Sequence, residues 1–327
     1  MSDKLEILKM IESGKISVDE GLQMIEALEQ TERIDEDVRE ELYSDRMADN
    51  TNIESEIYGE TIRTSEFKNF DVSLVTCKLN VERSNVDDVT IEILDNHTRE
   101  YVDKPEWLHL NEEHNTISIK EKRTSNLTDI FDFFKSGSGL SKSVYINVKL
   151  PLEMVIDKGK FSNVSGSISL LGVKSVDLEA RSVSGKVYAG DIKTQTLQLK
   201  STSGSVTADN VKAAKLYLNS TSGKVKLNGN AHLVEAKSVS GTCELQIGAM
   251  LTKLKTSTVS GSLKMYLAEP EVFNLKFNTV SGGIDTNGFA IVDKSSSSKK
   301  SVQIDNRSKD HYIEASTVSG KIVIDKF

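Results

Sequence analysis

The sequence predicts an all-β fold: a single-stranded parallel β-helix, or solenoid, with rungs of about 19 residues, preceded by a small α-helical hairpin. Three observations predict it. A Ser-Gly pair recurs with its glycine at Gly166, Gly185, Gly204, Gly223, Gly241, Gly261, Gly282 and Gly320. Apolar residues hold fixed places on both sides of that glycine. The first thirty residues instead repeat their apolar positions at helical spacing.

The helical hairpin comes first in the chain. Leu5, Leu8, Ile11 and Ile16 lead into Gly14-Lys15-Ile16-Ser17, and Ser17-Val-Asp-Glu20 forms a capping box for a second helix carrying Val18, Leu22, Ile25 and Leu28. A hairpin spanning residues 1–30 is too short to stand alone, so its apolar face needs a second copy, a protein partner or the solenoid. Residues 31–60 hold eleven acids and three bases, a net of −8 that equals the net of the whole chain, and read as an acidic linker.

The solenoid is expected over residues 61–327. Residues 61–160 form its irregular first rungs and cap: Phe70, Val72, Leu74, Cys77, Leu79 and Val81 suggest one strand pair. Leu108–Leu110 and Thr116–Lys120 bracket a hairpin turn, and Val144–Leu150 alternate up to Pro151. A cap is needed because an open solenoid end exposes both core and strand edge. Between them, Ile130, Phe131, Phe133 and Phe134 form an apolar knuckle in a polar loop. It suits a lid over the solenoid end, or a contact with a partner or membrane surface.

Residues 161–327 are the regular repeats. Two places after the glycine stand Ile168, Val187, Val206, Val225, Cys243, Leu263, Ile284 and Ile322; seven places before it stand Leu178, Leu197, Leu216, Val234, Leu254, Leu275 and Ile313. Alternation on both sides means two short strands per rung, each with one buried face, and a corner at the glycine that needs positive φ or close backbone approach. The glycine spacings run 19, 19, 19, 18, 20, 21 and 38, so the last interval reads as a rung that has lost its motif around an inserted loop. A hydroxyl column, Ser182, Ser201, Ser220, Ser238, Thr258, Thr279 and Thr317, lies three places before the glycine. It either satisfies backbone groups at the corner or offers a face to sugars. Parallel rungs favour a right-handed coil.

Composition narrows the function. An apolar share of 37% with only 6% aromatics suits stacked aliphatic side chains. No run of about 20 apolar residues marks a membrane span. Met1–Asp3 lead straight into the amphipathic pattern, with no basic-then-apolar leader. A cytoplasmic location, with membrane association as an option, is therefore expected. Cys77 and Cys243 lack metal-ligand spacing and read as small buried hydrophobes. The repeats carry only His232 and His311, with no catalytic constellation, so no enzyme activity, metal or cofactor is expected. No concentrated basic stripe marks a nucleic-acid binder.

The V-S-G and T-S-G motifs, entered by Val148-Lys149-Leu150-Pro151, resemble the bacterial β-strand-repeat family filed as putative adhesins, also called toastrack domains. The G-K-I-S-x-x-E-G-x-x-x-I run from Gly14 to Ile25 is similar to the SHOCT-like bihelical module often found ahead of that domain. The resemblance implies a right-handed β-helix and a link to cell-envelope stress systems. It further implies a non-enzymatic scaffold whose helices mediate oligomerisation or contact with a protein partner. The contact residues would be Leu5, Leu8, Ile11, Ile16, Leu22, Ile25 and Leu28, with the Ile130–Phe134 knuckle. An adhesin-like or glycan-binding module is the alternative.

Overall fold

In the computed structural model the chain divides into two compact units, Met1–Ala48 and Asp49–Phe327. The structure describes residues 60–62, 68–113, 115–121, 144–286, 294–297, 301–306, 308 and 310–326, all in the second unit. The predicted hairpin, most of the acidic linker and the Ile130–Phe134 knuckle lie outside the described residues.

The second unit is all-β apart from one short 3-10 turn, Pro270–Val272, among the described residues. Its strands form two ladders that meet at the Ser-Gly corner. On the ladder before the corner, Val155–Asn163 pairs in parallel with Lys174–Ser182, which pairs with Lys193–Ser201. Residues nineteen apart in sequence lie side by side: Leu178 faces Leu197, and Leu197 faces Leu216. The ladder after the corner repeats this with Ile168–Leu171, Val187–Gly190 and the first part of Val206–Ser220. The columns counted from the glycine are therefore physical columns, and their apolar members form one continuous core. Each buried aliphatic side chain contributes roughly 1.5–3 kcal/mol.

Departures from the 19-residue period have local causes. The 18-residue interval before Gly241 is absorbed by a register shift between Asp209 and Val211, where Asn210 bulges with a φ of 51°. Gly159 stands where the next three rungs carry Leu178, Leu197 and Leu216; an added Cβ would lie 2.8 Å from the Phe161 ring, so the glycine makes room for that ring beneath Phe70.

The ends differ from the expectation of a uniform parallel stack. Among the described residues the 38-residue interval forms no degenerate rung. Instead the last rung, Tyr312–Thr317 with Ile322–Lys326, inserts between the Gly261 rung and the Gly282 rung. The intervening chain contributes the antiparallel strands Lys294–Ser297 and Ser301–Ile304, which cover the outer edge of Asn274–Thr279. The other end uses the same device. Asn69–Leu74 with Lys78–Ser84 sits between Thr116–Glu121 with Val144–Pro151 on one side and the Gly166 rung on the other. Leu108–Glu113, Val89–Asp95 and Glu60–Ile62 then close that end antiparallel. Antiparallel pairing at both ends shields the edges that parallel stacking would leave open.

Candidate functional site

The repeated chemistry of the chain converges on the corner. None of the corner glycines has positive φ; what demands glycine there is backbone approach. A Cβ on Gly204 would stand 2.0 Å from the carbonyl oxygen of Gly185, and one on Gly320 would stand 1.7 Å from that of Gly261. Stacked corners touch backbone to backbone, and any side chain would wedge two rungs apart.

The hydroxyl column completes this contact. Ser201 Oγ accepts a hydrogen bond from the Gly204 amide at 2.9 Å and donates one to the Gly185 carbonyl at 2.9 Å. Ser182, Ser220 and Ser238 do the same on their rungs, as do Thr258, Thr279 and Thr317 against the glycine carbonyl of the neighbouring rung. Asn163 does it with its amide, bridging the Gly166 amide to the Cys77 carbonyl. Each hydroxyl is buried and donates to a backbone carbonyl, and all but Thr317 also accept from the following glycine amide, so of the two readings of this column the backbone one holds. At the first corner the Glu121 carboxylate accepts from the Val75 and Thr76 amides and the Thr76 hydroxyl.

Above the buried hydroxyls runs a ridge that the sequence reasoning passed over. Two places before the glycine, Val164, Val183, Val239, Val259, Val318 and Val280 are exposed, by 36–62%. Thr202 and Thr221 fill the same column. A groove of about 850 Å³ follows one flank of this ridge, floored by the hydroxyl column and walled by Arg181, Lys200, Asn219 and Lys237. The signal was present in the sequence as a column of apolar residues one position out of phase with the buried faces.

Other polar clusters are structural. Asn147 is hydrogen-bonded to Asn80, Glu82 and Glu92, while Lys149 and Tyr101 donate to Glu92. Burial alone would raise the Glu92 carboxyl; the hydrogen bonds from Lys149, Tyr101 and Asn147 outweigh it and hold the group below its ordinary range. Cys77 and Cys243 are free thiols, fully buried. Burial pushes both thiols up, Cys243 to about 12, which leaves them inert. Among the described residues no group of three or more His, Cys, Asp or Glu could hold a metal ion, and no helix is long and apolar enough to cross a membrane.

A family model described as Toastrack DUF4097 matches residues 67–325, and one described as a SHOCT-like domain matches residues 2–33. No curated protein matches the chain. Three solved structures are similar over 82% of it. A "putative adhesin" from Bacteroides fragilis is 15% identical, covered over 95% of its own length, with a TM-score of 0.44. A "putative cell adhesion protein" from Clostridium sporogenes is 14% identical, covered over 97%, with a TM-score of 0.26. A "putative lipid binding protein" from Parabacteroides distasonis is 14% identical, covered over 95%, with a TM-score of 0.37.

Proposed function

This chain belongs to the Toastrack DUF4097 family, and we propose that it is a non-enzymatic interaction protein whose ladder serves as a rigid platform. One observation carries the reading: the chemistry repeated on every rung is used in building the corner. The serine and threonine hydroxyls join glycine backbone groups. What remains outward is a surface repeated at the rung spacing, which suits binding over an extended contact.

In this reading the coil is a right-handed parallel β-helix. Residues 1–30 form a helical hairpin that self-associates or recruits a protein partner of the cell-envelope stress machinery, and the protein works in the cytoplasm, at or near the membrane. The capping box at Ser17–Glu20 and the SHOCT-like match over residues 2–33 support the hairpin. The test compares the full chain with a 31–327 truncation, by sedimentation and by in-cell crosslinking with mass spectrometry. The reading expects association to be lost on truncation while the melting transition of the ladder stays in place. Association that survives truncation would contradict the role given to the helices; no association by either protein would contradict the function itself.

A further inference from the structure

The corner ridge carries a charge asymmetry that building a ladder does not require. The nine six-residue segments that make the corners, from 73–78 to 316–321, hold seven bases and no acid, in a chain with 49 acids and a net charge of −8. On one flank stand Arg181, Lys200 and Lys237; on the other stand Lys78, Lys186, Lys224 and Lys321. The acids lie one column further from the ridge: Glu179 pairs with Arg181, Glu235 with Lys237, Glu244 with Lys224 and Asp285 with Lys321. Lys78, Lys186 and Lys200 make no ion pair among the described residues. From the tip outward the order is therefore exposed valine, then base, then a column in which these acids alternate with lysines such as Lys226, Lys255 and Lys264; at the first corner Glu121 is the one acid among the described residues that reaches the ridge.

We propose that this ridge docks on the surface of an anionic lipid bilayer, with the valines at the headgroup boundary and the flanking bases on lipid phosphates. The proposal rests on the reading of the ladder as a platform and names the surface that platform meets. Charge complementarity selects the occupant. A second copy docked through the same face would bring bases onto bases. An acidic peptide fits the groove beside Arg181 and Lys200, but leaves the lysines of the far flank unused. A single-stranded nucleic acid would want aromatic side chains for its bases, and the corner segments contain none. A flat surface resting on the exposed valine tips meets bases on both flanks, and apolar tips flanked by lysine are the arrangement that interfacial binding needs.

The test uses the full chain and flotation with vesicles of phosphatidylcholine, with and without phosphatidylglycerol. The expected result is binding to the anionic vesicles alone, weakened by salt. Reversing three ridge charges, K78E/K186E/K200E, lowers binding by at least about ten-fold. The control K160E/K226E/K264E has the same net charge but changes lysines one column further from the ridge, and loses clearly less binding than the ridge variant. Unchanged melting transitions show that both variants fold. V183S/V239S/V259S weakens binding with every charge kept. Equal binding to neutral vesicles, no binding to either, or equal loss in the two charge variants overturns the proposal. So does capture of an alternating Glu-Val peptide by the ridge without vesicle binding. None of these outcomes alters the association expected of residues 1–30, so the two readings fail separately.

Discussion

At the scale of single residues, the corner works because a hydroxyl and a glycine divide two tasks. The glycine lets backbones touch, and the hydroxyl three places earlier takes the amide and carbonyl that the contact would otherwise strand. Ser201→Ala should therefore leave a buried amide and a buried carbonyl unpaired, at about 2–3 kcal/mol, while Ser201→Thr should be tolerated, because Thr258 and Thr279 already make the same two bonds. Urea unfolding of the two variants separates the cases. Gly204→Ala should cost about 3 kcal/mol or more by the same measure, since its Cβ meets a carbonyl oxygen with no room to move. Glu92 gives a pH dependence. Its carboxyl is held below the ordinary range, so it contributes stability above the unfolded-state pKa that is lost as pH falls through the folded-state value. Lys149→Met removes the cation that, with the Tyr101 and Asn147 hydrogen bonds, holds it there. The acid limb of the stability profile should then flatten, and a profile superimposable on wild type would refute the assignment. The hydroxyl and glycine columns were legible in the sequence because their period is strict. Glu121 and the Glu92 network were not, because each joins residues from strands far apart in the chain, with no repeat to announce them.

At the scale of elements, the strands follow from alternation, and their period sets their partners: Leu178 lies beside Leu197, nineteen residues later in the chain. Rung order is another matter. The 38-residue interval before Gly320 is compatible with a lost rung or with an insertion, and spacing alone does not distinguish them. The structure shows the last rung threaded between two others, in the same register with both: Tyr312 faces Lys253 on one side and Asn274 on the other. That shared register predicts the effect of truncation after Ser308. The Asn274–Thr279 strand should close directly onto Lys253–Thr258, which it matches column for column, and the protein should melt earlier while Leu275 and Phe277 stay protected from hydrogen exchange. Loss of protection throughout 274–304 would show that the end depends on the inserted rung itself.

At the scale of the molecule, the charge of the sequence is misleading until it is located. The net of −8 comes from the stretch ahead of the ladder, and residues 61–327 are mildly basic. Folding then gathers seven of its bases along the two flanks of the ridge, with Glu121 at the first corner as the acid among them. The absence of acid from the corner segments could have been counted from the sequence once the repeat was aligned. That the valines beside it point outward could not, since a column of valine in a β-repeat is ordinarily core. The central claim is a rigid stack whose rungs do not follow chain order, and pulsed dipolar spectroscopy between spin labels on the ridge tests it most directly. With rungs about 4.8 Å apart, labels at positions 183 and 318 should lie five rungs apart, about 24 Å, and labels at 183 and 280 six rungs apart, about 29 Å. Both distance distributions should be narrow, with position 318 the nearer although it is later in the chain. Broad distributions, or position 280 nearer than 318, would contradict the account.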